Sequence, residues 1–301
     1  MRVLRWAGIV LGSLLALILV ALGVLYLLTE RRITRAYEVA GREVAVGEDS
    51  ATIARGEHVA IIRQCTNCHT ADLGGAKFID VPVVARLHTA NLTSGQGGMA
   101  EHYATSADWE RAIRQGVAPD GRALLFMPSH EFYAIGDDDL GALIAYLRSR
   151  TPVDRAFAAQ SVGPIGRWLF LSGALPLVPA ELVDHTAPRP VTPVPSVTVE
   201  YGHYLAESCS GCHGATLSGG PIPGAPPEMA APLNISTDTL TGIGKWTLAD
   251  FTRAIREGMR PDGVKLGSDM PVAAFAHLSD DEVAAIWMYL RTVPAKAYGG
   301  R

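Results

Sequence analysis

The four cysteines of the chain fall into two pairs, each closed by a histidine: Cys65-Thr-Asn-Cys68-His69 and Cys209-Ser-Gly-Cys212-His213. Two thiols and an imidazole within five positions suit three chemistries: a redox dithiol, part of a zinc site, or a covalent haem anchor. Zinc needs four ligands close together, and paired Cys-x-x-Cys knuckles stand about 15–20 residues apart. These two stand 144 apart. A thioredoxin-like dithiol sits at a helix start after a strand, and neither motif follows one. Nor does either alternative use the histidine. Haem uses every residue. Cysteines three apart on a helical turn share a face, where each can form a thioether with a vinyl group, and the adjacent histidine swings beneath the ring as proximal iron ligand. The motifs thus assign Cys65, Cys68, Cys209 and Cys212 to two haems c, and His69 and His213 to their irons.

A sixth ligand must come from a loop that folds over the opposite face. Of seven methionines, Met127 and Met270 hold equivalent places, 58 and 57 residues after their histidines, and each precedes a proline that fixes the local backbone. A thioether ligand raises the potential relative to bis-histidine, which suits an electron carrier. The competing reading makes each methionine a gap-filler. Met259 falls in a helical stretch opposite Val117 and reads as packing, while Met99 and Met229 sit in non-equivalent loops. His88 and His130 are rival ligands for the first iron. Trp109 with Phe251, and Tyr146 with Tyr289, read as core aromatics.

The elements that hold these residues are duplicated. "DWERAIRQGVAPDG" from Asp108 mirrors "DFTRAIREGMRPDG" from Asp250, and Asn91 mirrors Asn234. Offsets of 142 to 144 over some 90 positions mark two copies of one unit with small indels. Both copies read as helix and loop. Trp109, Ala112 and Ile113 have helical spacing, and Gly116 and Gly258 fall where a helix should stop. "DDDLGALIAYLRS" opens with acids and ends near Arg148, as the helix dipole favours. Loops such as "LSGGPIPGAPPEMAAPLN" are rich in Gly and Pro, and neither copy shows strand-like alternation of useful length.

Trp6 to Leu28 is a run of 23 residues without a charge, about 34 Å of helix against a hydrocarbon core of about 30 Å. It ends in Thr29, Glu30, Arg31 and Arg32 with no small-residue cleavage site, so it reads as an uncleaved anchor rather than a cleaved signal peptide. Basic residues flank both ends, and charge alone does not orient it. Covalent haem attachment does, because it takes place outside the bacterial cytoplasmic membrane: the body is expected on the periplasmic side. That body carries 30 acidic and 24 basic residues, a formal charge of −6, with no basic stripe for nucleic acid. Between the copies runs "RWLFLSGALPLVP", too short and too broken to span a membrane, then the stiff "APRPVTPVPSV".

With "YGHYLAESCSGCHG", "NISTDTLTGIGKWTLADFTRAIREGMRPDG", "DMP" and "DDEVAAIWMYLRTVP" in place, the chain resembles the class I c-type cytochromes. More narrowly, it is similar to multihaem cytochrome subunits of membrane-bound alcohol and sugar-acid dehydrogenases. The resemblance covers residues 50 to 152 and 198 to 295. It implies Cys65, Cys68, His69 and Met127 for one haem and Cys209, Cys212, His213 and Met270 for the other. It also implies a small all-α fold per copy, its first and last helices crossing at the haem edge. The first copy lacks "GIGxW", and its Gly56-to-Cys65 spacing is two longer than Gly202-to-Cys209. The expected architecture is an anchor (1–30), a first haem domain (50–152), a Pro-rich connector (153–197) and a second haem domain (198–296). The expected function is single-electron transfer between membrane or periplasmic redox partners, as a free carrier or a complex subunit. The alternative is a dihaem peroxidase or thiosulfate-oxidising enzyme, which needs one haem with an open distal site.

Overall fold

The computed structural model describes residues 2–223, 225 and 228–301. Positions 224, 226 and 227 of the Gly- and Pro-rich loop lie outside them. The charge-free run is part of helix α1 (Arg2–Ile33), whose only buried residue is Thr29. Among the described residues it is the one helix long and apolar enough to cross a membrane.

The first half contains α2 (Ser50–Ile62), α3 (Cys65–His69), α4 (Ser106–Gln115), α5 (Ser129–Phe132) and α6 (Asp137–Arg148). After α7 in the connector (Pro164–Leu171), the second half contains α8 (Val199–His213), α9 (Leu248–Glu257), α10 (Val272–Phe275) and α11 (Asp280–Leu290). Local sequence explains the bounds. Thr105 with Asp108, Thr247 with Asp250 and Ser279 with Glu282 form capping boxes that start α4, α9 and α11. Gly116 and Gly258, both at φ 67°, end α4 and α9 in the left-handed conformation.

Each half has its own core. Trp109, Ile113, Leu140, Leu143 and Ile144 fill the first; Phe251, Ile255, Val283, Ile286 and Leu290 fill the second. In both, the first helix crosses the last at a glycine. A Cβ on Gly56 of α2 would overlap the Ala142 carbonyl of α6, and one on Gly202 of α8 the Ala285 carbonyl of α11.

The helical bulk agrees with the all-α expectation, with one correction. A three-stranded antiparallel sheet forms from β1 (Lys77–Val81), β2 (Ala85–His88) and β3 (Ser161–Val162). No alternation announced it, because four of the five β1 residues are exposed and the register slips between Lys77 and Ile79. The third strand comes from the connector, far along the chain.

The connector is docked along its length. Phe170, Leu177, Val178 and Ala180 build a third apolar cluster with Ala85, Leu87 and Val117, against which Ile33 packs. Further on, the Thr192 hydroxyl accepts the backbone N–H groups of Asp138 and Asp139, capping α6, which lacks a cap of its own. The Tyr133 hydroxyl donates to the Ala187 carbonyl at 2.8 Å.

Candidate functional site

The two motifs sit at the ends of equivalent helices, reached differently. In the second half α8 runs unbroken through Cys209 and Cys212 to His213. In the first half α2 ends at Ile62, Gln64 adopts a left-handed φ of 63°, and a new turn carries Cys65 to His69. The two extra residues before Cys65 are absorbed in that kink. Beyond each histidine the backbone turns alike: Thr70 and Gly214 share a positive φ and ψ 164°.

The histidines are oriented identically. His69 Nδ1 lies 2.7 Å from the Ala90 carbonyl, and His213 Nδ1 lies 2.6 Å from the Leu233 carbonyl. A carbonyl only accepts, so each Nδ1 carries the proton and each Nε2 keeps its lone pair. That is the arrangement of a metal-ligating imidazole. Burial also lowers the pKa of both rings, which keeps them neutral near pH 7. Asn91 and Asn234, equivalent positions of the repeat, also have a structural task. Both are buried, directly after the carbonyls that the histidines use. Asn91 donates to the Val153 carbonyl at 2.6 Å, and Asn234 to the Lys296 carbonyl at 2.7 Å, pinning those loops to the chain that follows each last helix.

The methionines also share one geometry. After each, the proline takes φ near −78° and ψ near 59°, and the next N–H returns to the methionine carbonyl, at 2.7 Å for Ser129 and 2.8 Å for Val272. This is an inverse γ-turn. Each methionine is thereby held half-buried against its own core, together with Cys65 in the first half and Cys209 in the second.

In the second half a cavity of about 510 Å³ is lined by Cys209, Cys212, His213 and Met270, with Met229 also on its wall. Its size falls within the range of about 300–1,000 Å³ usual for cofactor pockets. Apolar walls from Ile243, Phe251 and Leu290 meet three cations, Lys245, Arg260 and Lys265, against one carboxylate, Asp269, a net-positive lining that fits a flat apolar group bearing acidic arms. Met259 bridges to Lys265 through its backbone, the counterpart of Val117 with Ala123. In the first half, His88 stacks on Phe157 with ring centres 4.6 Å apart, and His130 lies in α5 beside Glu131. The thiol chemistry argues against a redox dithiol. Burial pushes Cys65 and Cys209 up to about 12 and raises Cys68 and Cys212, whereas a reactive dithiol needs a lowered pKa. Among the described residues no group of three or more His, Cys, Asp and Glu converges as a metal set.

The two motifs also share a wall. Arg63, just before Cys65, is buried with its Nη1 donating to Ser208 Oγ at 2.7 Å and its Nη2 to the Tyr204 carbonyl at 2.9 Å. Ile62 belongs to the second half's core, and Gln64 lines the second half's cavity. Reciprocally, the Glu131 carboxylate of α5 lies against Gly211, between Cys209 and Cys212.

Comparison with known proteins gives a consistent picture. The family model described as cytochrome c matches residues 53–151 and 199–294. The cytochrome c subunit of a quinone-dependent alcohol dehydrogenase from Gluconobacter oxydans is 27% identical, over 86% of this chain and 58% of its own length. The cytochrome c subunit of gluconate 2-dehydrogenase from Pantoea cypripedii is 27% identical, over 82% of this chain and 61% of its length. A dihaem c-type cytochrome from Cereibacter sphaeroides is 32% identical, over 30% of this chain. The chain thus spans about three-fifths of the length of the two dehydrogenase subunits.

Proposed function

The chain belongs to the cytochrome c family, and on that premise we propose that it is a membrane-tethered dihaem electron carrier, one haem c in each half. The haem domains are residues 50–152 and 198–296, joined by the connector 153–197. The haem would supply one-electron ferric–ferrous chemistry and, before attachment, two vinyl groups. Each Cys Sγ would hold a haem through a thioether to one of those vinyl positions. Cys65, Cys68, Cys209 and Cys212 are all used in this way.

His69 and His213 present a neutral Nε2, and Met127 and Met270 present their sulfurs from rigid turns. Ligands held so firmly move little when the charge on iron changes, which suits fast electron transfer. The apolar walls exclude water, and Lys245, Arg260 and Lys265 balance the acidic arms in the second site. Anchored by α1 with its body on the periplasmic side, the carrier stays at high effective concentration near membrane partners. The likeness to the two dehydrogenase subunits supports membership of a comparable complex, in which this chain passes electrons and another subunit performs the oxidation.

The observation that carries the reading is the duplicated geometry: two histidines with the same forced tautomer, each paired in sequence with a methionine in the same turn. The test is a visible-range redox titration of the purified chain, with the ferric form checked for the methionine–iron charge-transfer band. Two low-spin haems that both show the band and ignore peroxide support the carrier. A high-spin fraction that reacts with peroxide favours the dihaem enzyme instead.

A further inference from the structure

Helix α7 of the connector is amphipathic in an unusual setting. Its inner face buries Gly166, Arg167 and Phe170. Its outer face leaves Ile165, Trp168 and Leu171 exposed at 47%, 60% and 43%, spaced three residues apart. The apolar surface continues onto the neighbouring hairpin. The Ile165 N–H donates to the Val83 carbonyl at 2.9 Å, and Val81 and Val83 are themselves about half exposed.

The position of this surface is fixed by buried charge. Arg167, only 8% exposed, donates to Thr29 Oγ1 at 2.8 Å and to Glu30 Oε2 at 2.6 Å, and its guanidinium lies 4.2 Å from the centre of the Tyr26 ring. Arg32 stacks over Phe170 at 4.0 Å and pairs with Glu181. Helix α7 is therefore clamped beside residues 26–32 of α1, the level at which the charge-free run ends. Measured along α1, a core of about 30 Å occupies most of the roughly 34 Å from Trp6 to Leu28. The exposed face of α7 then lies where hydrocarbon meets head groups, the depth that tryptophan prefers.

We propose that the outer face of α7, with the Val81–Val83 hairpin tip, lies in the plane of the membrane surface as a second attachment point. Its occupant is the lipid of the bilayer that holds α1. The proposal rests on the reading of α1 as a span. A bilayer around α1 brings its surface to the level of this helix, and exposed Arg31 at the same level suits phosphate head groups. Span and surface helix together fix the tilt of the body, which a single flexible tether could not do.

The test uses the full haem-loaded chain, its native cysteines consumed by thioethers. Single variants Trp168→Cys, Ile165→Cys, Leu17→Cys in α1 and Leu240→Cys in the second half each carry a nitroxide. They are reconstituted in phosphatidylethanolamine–phosphatidylglycerol vesicles with the haems reduced. Relaxation by oxygen is compared with relaxation by a water-soluble nickel chelate. Labels at 165 and 168 should show an oxygen-to-nickel ratio several-fold above that at 240 and below that at 17. Water-like values at both 165 and 168, with a lipid-like value at 17, would overturn the proposal and leave the anchor standing. A water-like value at 17 would remove the anchor and the proposal together. Labels shielded only after a partner protein is added would give the face to protein, not lipid.

Discussion

At the scale of single residues, the candidate sites depend on a few polar atoms whose roles have no alternative. A histidine Nδ1 facing a carbonyl must be the donor, so Nε2 is the atom left to accept a metal in the proposed sites. The proposed methionine ligand is less constrained, because Met229 lines the same cavity as Met270. Replacing the ligand decides between them. In Met270→His, the second haem should lose its methionine–iron band and fall in midpoint potential, as imidazole replaces thioether, while the first haem keeps both. In Met229→Leu, both haems should titrate as in the parent chain. A band lost in Met229→Leu but kept in Met270→His would reverse the assignment. The cysteines, histidines and methionines were legible because motif and repeat marked them twice. The carbonyls of Ala90 and Leu233 were not, since a backbone atom carries no sequence signal. Asn91 and Asn234 were visible only as a recurrence, and their bonds to Val153 and Lys296 reach across about 60 positions.

At the scale of elements, the crossing of first and last helix explains why each half tolerates no side chain at one position. Gly56 and Gly202 let a carbonyl of the partner helix approach the backbone directly. Adding a methyl must push the helices apart, because the obstructing atom is backbone and cannot rotate away. Gly202→Ala should destabilise the second half by about 1–3 kcal/mol, and Gly56→Ala should do the same to the first. Denaturant titration followed at the haem bands would show it. An unchanged midpoint would mean that the helices have room to separate at these glycines. Helices α4, α6, α9 and α11 were readable in advance from apolar spacing, acidic starts and the stop glycines, whereas their capping boxes were not. The sheet was not, because its strands are short, β1 is almost wholly exposed, and β3 lies more than seventy residues beyond β2. The same distance hid the role of Thr192, whose hydroxyl caps a helix that begins over fifty positions earlier.

At the scale of the whole molecule, the two halves meet reciprocally. Helix α10, which follows Met270, packs on α2, and α5, which follows Met127, packs on α8. The polar part of the interface includes two groups. His58 Nε2 meets Glu282 Oε1 at 2.8 Å and the Tyr201 hydroxyl donates to the same oxygen at 3.3 Å, while the Tyr204 hydroxyl donates to Asp139 Oδ2 and Arg55 pairs with Oδ1 of that carboxylate. None of this was readable from sequence, since His58 and Glu282 stand 224 positions apart and no pattern in the chain links them. The hydrogen bond to Glu282 raises the His58 pKa against the opposing effect of burial. For Glu282, burial alone would raise the pKa, but the bonds from His58 and from the Ser279 backbone outweigh it and leave it lowered. The signs set the pH window. A raised His58 contributes fully below its unfolded value of about 6.5 and loses that contribution as pH climbs through the folded value. A lowered Glu282 contributes above its unfolded value of about 4.3 and loses it as pH falls through the folded value. The pair therefore holds the halves together best between about pH 4.3 and 6.5. His58 is one-third exposed, so screening keeps the effect below about 1 kcal/mol. Denaturation midpoints should accordingly decline from pH 6 toward pH 9 in the parent chain. In His58→Gln, which can still hydrogen-bond but cannot titrate, that alkaline decline should flatten. A decline of the same size in both chains would place the pH dependence elsewhere and leave the contact between halves to apolar packing, Arg63 and the Tyr204–Asp139 bond.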